Sequence, residues 1–230
     1  MPDDLATIAD PRFILLAWAA GLTLVVGFVS LAQVVGPGFT WLAAGVAGFI
    51  GLAGTLADGA WWARVGAVSL IVGLIWARNR PFAGVMFLVA GVGYLIQAAL
   101  IGGWLLATTA SLSLGGVSGE MLLGHWYLID PSLPRWTLRT LAGAGIIGLA
   151  ADALGLAVLG ELPGGSGTVA FWILITTSIV IMIGVLGSLR YPAYSGVMAA
   201  TGLSYLAVLT TLGATFLGRA LVAGLGPFAS

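Results

Sequence analysis

Three ionisable side chains, Glu120, His125 and Asp152, stand inside long apolar stretches of this chain. Such groups are costly in a bilayer and face a bundle interior, a cavity or a partner, so each is a candidate for chemistry. A helix entering the membrane near Leu112 places Glu120 about 12 Å deep, and one leaving at Leu159 places Asp152 about 11 Å from the same boundary. Two carboxylates at one depth on consecutive antiparallel helices repel as anions and share a proton if they face each other. Glu120 and Asp152 are therefore the proton-handling candidates. The alternative treats them separately, with Glu120 in a water-filled vestibule and Asp152 bonded to a hydroxyl or a backbone carbonyl.

His125 sits near the other boundary, in Gly124-His125-Trp126-Tyr127, shortly before Asp130-Pro131. An imidazole flanked by Trp126 and Tyr127, with Arg135 and Arg139 close by, suits hydrogen bonding to a quinone carbonyl at headgroup depth. Haem ligation is open only if a partner subunit shares the site. The competing reading is a histidine that anchors a helix end on Asp130 or on lipid phosphate.

The rest of the composition removes other chemistries. The chain has no cysteine and no lysine, so it holds neither a thiolate metal site nor a Schiff-base cofactor, and no metal site is expected. Its eight basic residues, all arginine, balance eight acids, which leaves no basic field for nucleic acid. Gly116-Val117-Ser118-Gly119 resembles the Gly-x-Ser-Gly stretch of the intramembrane rhomboid proteases. Those enzymes take a base histidine from a later helix, and no histidine follows position 125, so the resemblance implies no protease here.

The elements that carry these residues must be membrane helices. Of 230 residues 60% are hydrophobic and 7% charged, too few charges to clothe a soluble protein of this length. The apolar runs last about twenty residues without the alternation of a β-barrel strand. Hydropathy and Gly/Pro breaks predict an all-α, polytopic transmembrane bundle, a single membrane domain over 1–230. Its eight spans are predicted at about 13–35, 39–57, 61–77, 82–106, 112–129, 137–159, 168–189 and 192–216. A seven-helix count follows if 82–129 holds one span. The acidic segment before Arg12 lacks the features of a cleaved signal, so the first helix is expected to be retained.

With eight spans, Arg78, Arg80, Arg135, Arg139 and Arg190 share one side, while Asp3, Asp4, Asp10, Asp58 and Glu161 share the other with both termini, where or at whose edge only Arg12, Arg64 and Arg219 also lie. The positive-inside rule puts the arginine side in the cytoplasm and both termini outside. Glycines within the spans, such as Gly143, Gly145 and Gly148, predict close helix packing. Trp61, Trp62, Trp76 and Trp136 fall at predicted helix ends, where amphipathic rings settle.

Together these features suggest a multi-pass protein of a prokaryotic plasma membrane, in contact with lipid and with other membrane subunits. The leading reading is a subunit of an electron-transfer or proton-coupled complex, with quinone as the possible cofactor. Eight-helix anchors of quinone-linked oxidoreductases are similar in helix number and outward termini. A non-catalytic assembly subunit and a small proton- or cation-coupled transporter are the alternatives.

Overall fold

The computed structural model describes residues 9–159, 162 and 164–224. Asp3, Asp4 and Glu161 of the acidic side lie outside the described residues. The described chain forms eight packed helices: α1 (Pro11–Leu31), α2 (Pro37–Asp58), α3 (Trp61–Ile75), α4 (Arg80–Gly102), α5 (Trp104–Tyr127), α6 (Arg135–Leu159), α7 (Ser166–Arg190) and α8 (Tyr194–Val222). Six are long and apolar enough to cross a membrane. The chain is a polytopic membrane protein.

The two helices outside that six differ for physical reasons. At 15 residues α3 is about 22 Å long, short of the roughly 30 Å of hydrocarbon. α5 is long enough at 24 residues but carries Thr109, Ser111, Ser113, Ser118 and Glu120, all of them buried. A polar helix is tolerated in a membrane when neighbours cover it, and α5 packs against α1, α4, α6 and α8.

Local sequence explains where the helices stop. Asp10 caps α1 by accepting the Arg12 amide at 2.8 Å, and Pro11 takes the first helical position, which needs no amide hydrogen. Asn79 caps α4 in the same way, accepting from the Phe82 amide. Gly103 alone joins α4 to α5, at φ 84°, a backbone region that favours glycine. Hydropathy runs unbroken through this point, so the predicted boundaries there, 106 and 112, are corrected to 102 and 104.

Helices α1 to α4 form one cycle of neighbours, α1 on α2, α2 on α3, α3 on α4 and α4 on α1, and α5 to α8 repeat that plan. The halves meet mainly through α1 and α5. There the backbones touch: a Cβ on Gly21 would stand 1.9 Å from the Ser111 carbonyl oxygen; between α5 and α6, within the second half, one on Gly148 would stand 2.3 Å from the Ser113 nitrogen. With little hydrophobic drive between helices in lipid, such approach supplies much of the packing.

The α1–α2, α3–α4, α5–α6 and α7–α8 connections gather at one end, laced together by arginines. Arg80 donates to the carbonyls of Gln33 and Val35, at 3.3 and 3.2 Å. Arg135 donates to those of Tyr191 and Pro192, at 2.5 and 2.8 Å, and Arg139 to that of Leu189 at 2.9 Å. This arginine-lined end is the reference for depth below.

Candidate functional site

The polar residues of the second half converge on the seam between α5 and α8. Along α8, Thr201, Ser204, Thr211, Thr215 and Arg219 recur every three to four residues or two turns apart, and all are buried. That spacing places them on one face. Thr109, Ser113, Glu120 and Gly124 give α5 a matching buried stripe. The seam holds two charged centres with opposite treatment.

Asp152 and Arg219 form a two-pronged ion pair far from the arginine-lined end. Arg219 Nη1 donates to Asp152 Oδ2 at 3.0 Å and Nη2 to Oδ1 at 2.8 Å. Thr109 Oγ1 adds a third hydrogen bond to Oδ1 at 2.9 Å. The guanidinium lies 5.2 Å from the centre of the Phe13 ring, a cation–π approach. Arg219 is 0% and Asp152 3% exposed. In so dry a site either charge alone would be very costly, and together they are a neutral unit.

Glu120 is also fully buried, yet neither carboxyl oxygen has a hydrogen-bond partner. Its neighbours across the seam are hydroxyls. The Thr201 hydroxyl and Glu120 Oε1 flank the same point beside Gly124, and Ser204 adjoins the carboxyl. Thr201 donates to the Val197 carbonyl and Ser204 to that of Thr201, each at 2.9 Å. Ser204 is also near enough to turn its hydrogen to Glu120, but no cation among the described residues faces the carboxyl.

The two carboxylates do not pair with each other. α5 begins at Trp104, eight residues before the expected Leu112. Glu120 is therefore about 24 Å along its helix, while Asp152 is about 10 Å from the matching end of α6. They sit roughly 14 Å apart in depth, and Asp152 is engaged by Arg219 instead.

Comparisons with protein-family models, curated proteins and solved structures gave no match. The site is read from its geometry alone.

The residues grouped around His125 disperse. His125 is exposed and meets Tyr205 of α8, Nδ1 to Oη 3.2 Å. Trp126 turns the other way, onto Phe39 and Gly38 at the start of α2. Tyr127 accepts from Arg135 Nε at 3.4 Å, and Arg139 reaches α7. Asp130 does not hold His125; it accepts from the amide and hydroxyl of Ser132. Three different neighbours thus claim His125, Trp126 and the Arg135–Tyr127 pair.

Sequence reading left Arg219, set beyond a span expected to end at 216, without a role, and missed with it Thr109, Thr201 and Ser204. The 201, 204, 211, 215, 219 spacing was the available signal. It marks one polar helical face that runs three residues past the last strongly apolar segment.

Proposed function

We propose that this chain is a proton-handling multi-pass membrane protein, with Glu120 as the proton-binding group and the α5–α8 seam as its route. One observation carries the reading. Glu120 is fully buried beside hydroxyls, with no cation facing it among the described residues. An ionised carboxylate there would lack both solvent and a countercharge, at a cost of several kcal/mol. A proton on Glu120 removes that charge and leaves the carboxyl a hydrogen to give to a neighbouring hydroxyl oxygen.

The seam offers polar stations beyond that point. Ser118 and Thr211 line a small void between α5 and α8, and Trp18 Nε1 donates to Ser118 Oγ at 3.0 Å. Towards the arginine-lined end, His125 and Tyr205 adjoin Gly124 and Ser204 in sequence and form the exposed lip of the same seam. The positive-inside rule favours a cytoplasmic position for this end. An electron-transfer role would leave the redox centres to a partner subunit, because one histidine and no cysteine supply no ligand set within the chain.

The test is proton flux into liposomes containing the purified protein, read by an entrapped pH dye under an imposed potential. Wild type is expected to pass protons at a rate unaffected by replacing sodium with choline, and Glu120→Gln to abolish the flux. Undiminished flux in Glu120→Gln overturns the assignment. Dependence on sodium makes the seam a metal-cation route instead.

A further inference from the structure

A cavity of about 320 Å³ lies on the opposite face of α5 from the seam, where the two helical halves meet. It runs between α1, α4, α5 and α6, with Gly21, Leu24, Leu95, Gly116 and Ala144 among its walls. The volume is at the small end of the roughly 300–1,000 Å³ typical of ligand pockets. No charged residue lines it. Phe28 and Leu112, each 39% exposed, stand at its edge, so it opens sideways at the depth of lipid chains.

Three hydroxyls interrupt this apolar wall: Thr140 donates to the Trp136 carbonyl at 2.9 Å, Thr108 is exposed, and Ser111 is buried. Ser111 lines the cavity and is 3% exposed, yet its hydroxyl has no partner. Its neighbours on α5 behave differently: Ser113 donates to the Ala110 carbonyl at 3.0 Å, and Ser118 to that of Leu114. Ser30 and Thr211 are buried without a partner as well, but neither lines this cavity, whereas Ser111 does and keeps a hydrogen to give. A buried unsatisfied hydroxyl costs about 1–3 kcal/mol, and a ligand oxygen recovers it.

We propose that the cavity binds a lipid-soluble carbonyl compound of the isoprenoid quinone class. One ring oxygen accepts from Ser111, the ring lies between Leu24 and Ala144, and the chain leaves sideways past Phe28 and Leu112. Depth separates this class from ordinary lipid. Ser111 is seven residues into α5, about 10 Å below the helix end. Phospholipid ester carbonyls stay at the polar boundary, so an acyl chain in this cavity leaves Ser111 unpaired. A quinone ring carries its acceptor to that depth. The cavity is separate from the His125 group and independent of the proton route.

Binding is measured in nanodiscs of quinone-free phosphatidylcholine by titrating a short-chain isoprenoid benzoquinone and following tryptophan quenching. Trp136, whose ring centre is 6.1 Å from that of Phe28, is the expected reporter. Wild type should saturate. Ser111→Ala should weaken binding up to about tenfold, the value of one hydrogen bond. Ala144→Phe, made on another helix and checked for wild-type helicity and elution, should abolish saturation by filling the space. Saturation that is unchanged in both variants overturns the proposal. So does equal displacement by an alkane of the same length, which marks a plain hydrocarbon slot.

Discussion

Asp152 and Glu120 are acids of one half-bundle, both buried, and the fold treats them in opposite ways. Asp152 receives three hydrogen bonds, two from a guanidinium brought 67 residues along the chain. Glu120 receives none. The first has a fixed charge with a fixed partner and is suited to holding α6, α8 and α5 together. The second has hydroxyls beside it and no countercharge among the described residues, so its way to neutrality is a mobile hydrogen. Burial alone therefore does not mark a functional acid; the balance of donors and acceptors around it does.

The largest effect is expected from splitting the satisfied pair. Arg219→Met leaves Asp152 buried and uncompensated, and should cost about 3–5 kcal/mol of stability in detergent unfolding. Asp152→Leu combined with Arg219→Met should regain most of that loss. If the double variant is as unstable as the sum of the singles, the pair is not the structural unit described. Next in size is the helix junction. Gly148→Leu drives a side chain into the Ser113 backbone and should cost about 1–3 kcal/mol. Gly143→Leu on the same helix, where a Cβ meets nothing within 4 Å, should be nearly silent.

Glu120→Gln sharpens the contrast with Asp152 through a small stability effect. The amide is nearly the same size and donates to the hydroxyl oxygens permanently, so the change should stay below about 1.5 kcal/mol. The carbonyl stretch of a protonated carboxylic acid should vanish from the infrared difference spectrum. An unaltered spectrum would return Glu120 to a purely structural role. The smallest effect lies at the N-cap of α1. The Arg12 side chain, hydrogen-bonded to Asp10, holds the Asp10 carboxyl below its ordinary value of 3.8. The folded state then binds this proton less readily than the unfolded chain. Its stabilisation is present above pH 3.8 and fades as pH falls through the lowered value. Asp10→Asn should remove that dependence from a plot of unfolding midpoint against pH.

Much of the architecture was legible because hydropathy accumulates residue by residue. Long apolar runs and Gly/Pro breaks predicted eight helices, and the arginine positions identified the loops that share one end. The site was less legible because pairing depends on where a helix starts, to within a turn. Moving the start of α5 from Leu112 to Trp104 shifts the depth of Glu120 by about 12 Å. It thereby dissolves an apparent carboxylate pair. Arg219 was placed at the edge of the acidic side and left without a role for a related reason: a charge ends a hydropathy segment, although α8 continues to Val222.

By itself, then, the sequence determined a charge-poor helical membrane protein and the few ionisable residues placed within it. Only the tertiary structure decided that Asp152 meets Arg219 while Glu120 meets hydroxyls and no cation among the described residues. Hydrophobicity is a sum over neighbours in the chain, whereas a donor finds its acceptor through helix register and rotation. Those are set by the close glycine contacts that bring α1, α5 and α6 together.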